Sequence, residues 1–309
     1  MVNSVMIIGA SGFIGQHLTR HYLEQGCKVT AFVPDPEKMD SFKEKYGEFF
    51  TAVPASFDDF DTISERAGEV EAPDVFYYLA WGGYGKATND YREQIKNIKP
   101  VCDAIVEAKK MGAKRFLFAS SLSEYMIKEG STLSHDKGGV CNVYGSAKHA
   151  ARLMAQAVAS QQNMPFVSVA FANTFGPGDR SRRSTNLFIH QLLTGQDINL
   201  TEGIHMYDWN YIDDCISGLT LAGEQGKPDS LYYIGSRTRR PLKEIVEELR
   251  DILAPDAKIN LGKYHEDFYM DYPCVDVHQL YRDTGYLAKT EFKDAVIATA
   301  EFVKTLDWE

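Results

Sequence analysis

A glycine-rich turn near the start of the chain restricts the fold more than any other feature. Gly9, Gly12 and Gly15 follow the apolar run at 5–8 directly, and an amphipathic segment comes next. Glycine permits positive φ and lets backbone amides approach a pyrophosphate, while the N-terminus of the following helix adds a favourable dipole. The sequence therefore predicts the strand, phosphate-binding turn and helix that open a dinucleotide-binding fold. A tight strand-to-helix turn without a ligand is the alternative.

Strand-like and helix-like segments alternate through the first half of the chain. The predicted strands lie at 5–8, 29–33, 75–80, 115–119 and 166–170. The predicted helices lie at 14–25, 90–110 and 143–160. This alternation is typical of a parallel sheet with helices on both faces, and it breaks from residue 173 onward. We therefore predict an α/β protein: a Rossmann doubly wound parallel sheet at 1–172 and a smaller C-terminal α/β substrate lobe at 173–309, with part of 206–234 returning to the first domain.

Composition argues against several classes of protein. The chain has 309 residues and a net charge of −10, which argues against a nucleic-acid-binding surface. No stretch approaches the ~18 uninterrupted apolar residues of a membrane span, and no secretory signal is visible. The five cysteines are scattered and form no Cys-x-x-Cys pair, which indicates a reducing compartment. We expect a cytoplasmic protein without a nucleic-acid partner, a membrane partner or a metal site.

Tyr144 and Lys148 lie four residues apart in a predicted helix. This spacing places both side chains on one helical face, one turn apart. A phenol beside an ammonium group can act as an acid/base catalyst, because the positive charge favours the phenolate and lowers a tyrosine pKa that starts near ~10. We therefore expect a lowered pKa for Tyr144. The pair also occurs by chance on helices, and a core aromatic with a hydrated hydroxyl is the alternative.

The glycine turn together with Tyr-x-x-x-Lys resembles the extended branch of the short-chain dehydrogenase/reductase superfamily, the NAD-dependent epimerases and dehydratases of nucleotide sugars. The segment 115–125 resembles the strand that delivers the family's catalytic serine or threonine, and the resemblance assigns that role to Ser121. The segments 171–179 and 211–214 resemble later runs of the family, in the same order. The similarity covers nearly the whole chain.

The resemblance implies two sets of binding residues. Cofactor contacts are expected from Gly9, Ser11, Gly12, Phe13, Ile14, Gly15, Ala80, Asn97, Tyr144 and Lys148. Substrate contacts are expected from Ser121, Ser123, Trp81, Lys86, Asn173, Asn186, Arg180 and Arg183. The implied cofactor is NAD or NADP, the implied substrate is a nucleotide sugar, and the implied assembly is a homodimer.

Two departures from the family pattern concern charge. Arginines that often bind the substrate diphosphate would fall at Ala170 and Tyr207, and the loss of such bidentate donors weakens phosphate recognition. The arginines at 180–183 could replace them, or could form a solvated loop. The acid expected after the second strand is also missing, because Val33-Pro34 occupies its place. The choice between NAD and NADP therefore stays open.

The complete catalytic set predicts hydride transfer at a sugar carbinol or ketone, and a 4-epimerase is the first expectation. A 4-keto-sugar reductase comes second and a 4,6-dehydratase third. Dehydratases of the family carry Asp-Glu directly after the catalytic serine or threonine, whereas this chain has Leu122-Ser123. Glu124 comes one residue late, so on an extended segment it would point to the opposite side. A non-catalytic NAD(P)-binding sensor and a reductase of small non-nucleotide carbonyls are the alternatives.

Overall fold

The computed structural model describes residues 2–85, 87–125, 142–264 and 275–308. Its strands, in chain order, are β1 (Ser4–Ile8), β2 (Lys28–Val33), β3 (Phe50–Pro54), β4 (Val75–Tyr78), β5 (Phe116–Ala119), β6 (Phe166–Phe171), β7 (Asn173–Phe175), β8 (Ile198–Asn199), β9 (Met206–Tyr207), β10 (Trp209–Tyr211), β11 (Leu231–Ile234), β12 (Arg240–Pro241) and β13 (Ile259–Asn260). Seven of them form a parallel sheet in the order β11-β6-β5-β4-β1-β2-β3. The winding reverses between β1 and β4, which is where open α/β sheets bind ligands. This topology confirms the predicted fold class.

Helices cover both faces of the sheet. In chain order they are α1 (Phe13–Glu24), α2 (Asp40–Tyr46), α3 (Ile63–Ala67), α4 (Tyr91–Gln94), α5 (Ile98–Lys110), α6 (Val143–Gln161), α7 (Ser184–Leu193), α8 (Ile212–Gln225), α9 (Leu242–Leu253), α10 (Gln279–Thr284) and α11 (Phe292–Val303). Val5 and Ile7 of β1 pack towards α1 and α8, whereas Met6 and Ile8 pack towards α5 and α6. A strand buried on both faces requires a continuous apolar run, and β1 has one.

Two elements differ from the sequence-based prediction. The segment predicted as one helix at 90–110 forms α4, a 3₁₀ turn (Ile95–Asn97) and α5. Pro100 lies in the first turn of α5, where its missing N–H breaks no helical hydrogen bond, so the longer helix restarts there. The edge strand β3 was not predicted. It is only partly buried, so it lacks the continuous apolar run of the inner strands.

The residues after β6 build a second lobe but also return to the first domain. In that lobe α7, α9 and α11 pack around a core that includes Phe175, Trp209 and Val246. By contrast, β11 pairs with β6, and α8 packs on α1. No described helix is long and apolar enough to cross a membrane. Within the same described residues, no group of three His, Cys, Asp or Glu side chains is arranged to hold a metal ion.

Candidate active site

The glycine turn leaves no room for a side chain at Gly9 or Gly15. Gly9 has a φ of +87°, and a Cβ there would lie 2.8 Å from the amide nitrogen of Ala80. A Cβ at Gly15 would overlap the carbonyl oxygen of Gly9. Gly12 is the N-cap of α1 and provides no side-chain hydrogen bond to that helix, so the N–H groups of the first turn remain available to an anion. These residues fit the pyrophosphate of a dinucleotide.

The other predicted cofactor residues take different positions. Phe13 and Ile14, at the start of α1, line a cavity of about 740 Å³. Ser11 lies in the turn, and its carbonyl oxygen accepts a hydrogen bond from Gln16 Nε2 at 2.9 Å. Asn97 is buried outside the cavity wall. Its Oδ1 accepts the N–H of Gly82 at 2.7 Å and its Nδ2 donates to the Gly82 carbonyl at 3.2 Å, so Asn97 fixes the turn after β4.

Both halves of the molecule contribute to this cavity. Its wall includes Leu79, Trp81, Tyr84, Thr88, Ser121, Ser123, Tyr144, Lys148, Asn173, Arg183, His205 and Tyr207. The volume lies within the range of small-molecule sites in proteins. The cavity therefore joins the glycine-turn helix, the Tyr-x-x-x-Lys helix and the second lobe in one continuous space.

Tyr144 and Ser121 meet in this cavity. The side chain of Asn142 accepts a hydrogen bond from the N–H of Gly145 and caps α6, so Tyr144 lies in the first turn of that helix. The Ser121 and Tyr144 side chains both line the cavity, and the Ser121 hydroxyl acts on the Tyr144 phenol by lowering its pKa. Ser121 Oγ accepts the N–H of Ser123 at 3.1 Å, a bond that does not use the serine proton.

The pKa of Tyr144 differs from the expectation. Burial raises it to about 12, and the hydrogen bond from Ser121 offsets only part of that rise. The expected lowering was wrong for the protein alone, because the phenolate loses more hydration than its neighbours replace. The Lys148 ammonium lies 6.0 Å from the centre of the Tyr144 ring and donates a hydrogen bond to the Ala119 carbonyl oxygen.

Lys148 is held in an unusually dry position. It is only 3% exposed, and its Nζ donates a hydrogen bond to the Ala119 carbonyl oxygen at 2.8 Å. The same ammonium lies 3.9 Å from the centre of the Trp81 ring, a distance at which an aromatic face attracts a cation. Burial lowers the pKa of Lys148 to about 7, and the charge of Glu124 opposes that change. Trp81 was expected to contact the substrate. It lines the cavity, and its ring also packs against the Lys148 ammonium on α6.

Glu124, which was considered as an acid for dehydration, is buried and lies outside the cavity wall. Its carboxylate accepts hydrogen bonds from the Ser120 hydroxyl and from Arg152 Nε, the latter at 2.7 Å. Leu122 and Ser123, which follow Ser121 directly, are not acids and both line the cavity. The described part of the cavity wall has no Asp or Glu side chain.

The predicted substrate residues separate into three groups. Asn173 and Arg183 line the cavity, and Arg183 Nη2 forms an ion pair with Asp179 Oδ2 at 2.7 Å. Asn186 is fully buried behind the cavity wall, where its Nδ2 donates to the Asp179 carbonyl at 2.8 Å and so holds the loop that carries Arg183. Arg180 is exposed and is not part of the wall. Lys86 lies outside the described residues.

Sequence reasoning missed several residues of the cavity wall. Tyr84 approaches Tyr144 with a ring separation of 5.4 Å and an edge-to-face geometry. Its place in the glycine-rich, aromatic run at 81–85 was the available signal, but that run does not reveal which ring reaches the cavity. Thr88 also lines the wall, and no motif marks it. Thr174 lines the wall too, and its signal was its place in the family-like segment 171–179.

Comparison with known proteins gives a consistent result. The profile of the NAD dependent epimerase/dehydratase family matches residues 5–235. A probable UDP-glucuronate 4-epimerase of Rhizobium meliloti is 27% identical over 232 residues, which cover 69% of this chain and 66% of that protein. A dTDP-glucose 4,6-dehydratase of Streptomyces antibioticus is 22% identical over 329 residues, which cover 99% and 92%.

The solved structure of UDP-glucuronic acid 4-epimerase from Bacillus cereus, in complex with UDP-glucuronic acid and NAD, has a TM-score of 0.75 and 20% identity. The match covers 97% of this chain and 99% of that chain, and it shows a shared fold. The family profile spans most of the chain and includes the glycine turn, Ser121, Tyr144 and Lys148. The predictions of an NAD-dependent enzyme and of its family are therefore confirmed. The chain belongs to the NAD dependent epimerase/dehydratase family.

Proposed function

We propose that this protein is a nucleotide-sugar 4-epimerase. The observation that carries the proposal is the contact between Ser121 and Tyr144 in the cavity that begins at the glycine turn, with Lys148 one helical turn further on. These are the parts that proton transfer at a sugar hydroxyl requires. The named relatives that act on UDP-sugars make UDP-hexuronates and UDP-hexoses the first substrates to assay.

The residues would divide the reaction as follows. Tyr144, as phenolate, takes the proton of the sugar hydroxyl and later returns it to the carbonyl oxygen. Ser121 holds the reacting oxygen, and its own position is fixed by the N–H of Ser123. Bound NAD would supply the hydride acceptor for the sugar carbon and, as NADH, the hydride donor for either face of the resulting ketone. The glycine turn would hold the pyrophosphate of NAD.

Tyr144 must lose its proton to act as a base, and its raised pKa makes this the demanding step for the protein. A positive charge near the phenol oxygen would make this loss easier, and Lys148, one helical turn further on, has its ammonium 6.0 Å from the centre of the Tyr144 ring. Lys148 can supply that charge only while it is protonated. The charge state of Lys148 therefore decides how readily Tyr144 acts.

Two related activities use the same residues and are the competing candidates. A 4-keto-sugar reductase would need only hydride delivery and protonation, and a 4,6-dehydratase would also need an acid beside the sugar ring. The position of Glu124 in an ion pair with Arg152 speaks against dehydration. A sensor without turnover would also bind the dinucleotide.

Two incubations separate these activities. In the first, the protein is mixed with NAD and UDP-glucuronate, UDP-glucose or dTDP-glucose, and the products are followed by proton NMR and mass spectrometry. An epimerase gives an isomer of unchanged mass without net change in NAD, and a dehydratase gives a product lighter by one water. In the second, with NADH and a 4-keto-sugar, a reductase consumes NADH. Release of bound NAD on denaturation would further support a cofactor recycled in place, and absence of every product would contradict the proposal.

We also propose that the enzyme is a homodimer formed through α4, α5 and α6. Large apolar side chains are exposed there: Ile95 at 61%, Tyr91 at 58%, Met154 at 53% and Leu153 at 49%. Their burial against a second copy would remove apolar surface from water. A monomeric mass in light scattering at micromolar concentration would contradict this assembly.

The free thiols of Cys27, Cys102 and Cys215 support the cytoplasm as the proposed compartment.

A further inference from the structure

A buried cluster of charged side chains lies behind the catalytic residues. Glu124 is 1% exposed, and its Oε2 lies 2.7 Å from Arg152 Nε and 3.0 Å from His149 Nδ1. Its Oε1 accepts a hydrogen bond from the Ser120 hydroxyl. Charges in such a position cost free energy of desolvation, and a fully partnered carboxylate is the arrangement that tolerates burial.

Every member of the cluster adjoins a residue of the reaction. Ser120 precedes Ser121, His149 follows Lys148, and Arg152 lies one turn beyond Lys148 on α6. The cluster therefore joins the turn after β5 to α6. These two elements set the distance between the serine, the phenol and the ammonium group.

The cluster also acts on Lys148 through charge. Burial lowers the pKa of Lys148, and the opposite charge of Glu124 is the group that raises it. The remaining groups around the ammonium are the Ala119 carbonyl, the rings of Trp81 and Phe118, and Tyr144. Arg152 and His149 bind Oε2 of the Glu124 carboxylate. Loss of Glu124 would remove the charge that raises the pKa of Lys148, and it would leave the buried Arg152 guanidinium without its carboxylate partner.

We propose that Glu124 is a positioning residue that keeps Lys148 charged and in register with Ser121, and that Arg152 limits the strength of this effect. The proposal rests on the proposed function for the role of Lys148 in turnover. Beyond that function, it makes turnover depend on the Glu124 carboxylate, which lies outside the cavity wall.

The test is a pair of substitutions with opposite expected signs, read from the pH profile of kcat. Glu124→Gln removes the anion, so the alkaline limb should move to lower pH by at least about one unit, with kcat about tenfold below wild type just above the wild-type limb. Arg152→Gln leaves the anion uncompensated, so the limb should move to higher pH. Glu124→Asp should return the limb towards its wild-type position.

Glu107→Gln is the matched control. Glu107, on α5, is also a buried carboxylate; it is paired with Lys110 of the same helix and Ser64 of α3 and lies outside the cavity wall. This variant should keep the wild-type limb. A uniform fall of kcat in Glu124→Gln at every pH, with the limb unmoved, would overturn the proposal, because a merely structural carboxylate would give that result.

A binding measurement keeps the test independent of turnover. The Kd for NADH is measured by nicotinamide fluorescence between pH 6 and pH 10 in the wild type and the same variants. We expect the affinity to fall with a midpoint that moves in the same directions as the kcat limb. If the protein turned over no nucleotide sugar, the proposed function would fail while this midpoint still reported on Glu124. An identical midpoint in wild type and Glu124→Gln would refute the inference.

Discussion

The two walls of the cleft are built in different ways. The proposed cofactor wall consists of the glycine turn with Tyr144 and Lys148, and it rests on α1 and α6 with backbone atoms in close contact. The proposed substrate wall consists of Tyr84, Asn173, Arg183 and His205, which come from separate segments, and the Arg183 side chain is 41% exposed. In this proposal the reacting groups stand on helices, whereas the substrate contacts come mostly from loops. This contrast explains why the class of reaction follows from the chain more readily than the identity of the sugar.

The largest effect is expected on the cofactor wall. Tyr144→Phe removes the proton carrier but keeps the ring between Trp81 and Tyr84, so kcat should fall at least about a thousandfold. The Kd for NAD, measured by titration calorimetry, should stay within about threefold. Tyr281→Phe, an exposed tyrosine outside the cavity, is the control. If Tyr144→Phe kept more than a tenth of wild-type activity, Tyr144 would not be the proton carrier.

A pair of glycine substitutions tests whether the same wall is rigid. In Gly15→Ala the new methyl would overlap Gly9 O and lie 2.8 Å from Ala10 Cα, so the free energy of unfolding should fall by about 3 kcal/mol in urea titrations. In Gly12→Ala the nearest atom is Gly9 O at 3.4 Å, so stability should stay within about 1 kcal/mol. NAD affinity should fall in both variants. Equal stability losses would mean that the turn adapts.

Burial of Lys148 should lower the free energy of unfolding by an amount that depends on pH. Its folded pKa of about 7 lies below the ordinary value of 10.5, so the penalty for burying the charge is complete below pH 7 and disappears as the pH approaches 10.5. Lys148→Met should therefore raise the free energy of unfolding by about 2 kcal/mol at pH 7 and by less at pH 9. Denaturant titrations at the two pH values measure this. Lys293→Met, on an exposed site of α11, should change neither. A gain that grows with pH would contradict the assignment.

The smallest effect is expected on the substrate wall. Arg183→Gln should raise KM for the nucleotide sugar about tenfold, or about 1.4 kcal/mol, with little change in kcat, because Arg183 would contact the substrate in the ground state and transition state alike. Arg182→Gln is a matched control, since Arg182 packs on Trp308 at the C-terminal tail instead. A fall in kcat with KM unchanged would place Arg183 with the reaction chemistry.

Sequence patterns predicted the features that depend on local spacing. The glycine turn, the strand at 5–8 and the Tyr144–Lys148 pair each lie within one turn or element, so their geometry follows from the period of the backbone. Tyr84 and the Glu124–Arg152 ion pair could not be predicted, because each depends on a contact between separate elements. The expected lowering of the Tyr144 pKa was wrong for a similar reason. That pKa is set by burial, which no pair of residues reveals.

The position of β11 in the sheet also determines where chimeras of such enzymes can be joined. A chain cut after residue 172 would leave β6 as an open edge with unpaired amides, because its partner strand arrives only at 231–234. A single crossover between two relatives would therefore combine a sheet from one parent with an edge strand from the other. Chimeras that import a new sugar preference should transplant two inserts, 173–211 and 235–308, and keep α8 and β11 with their original sheet.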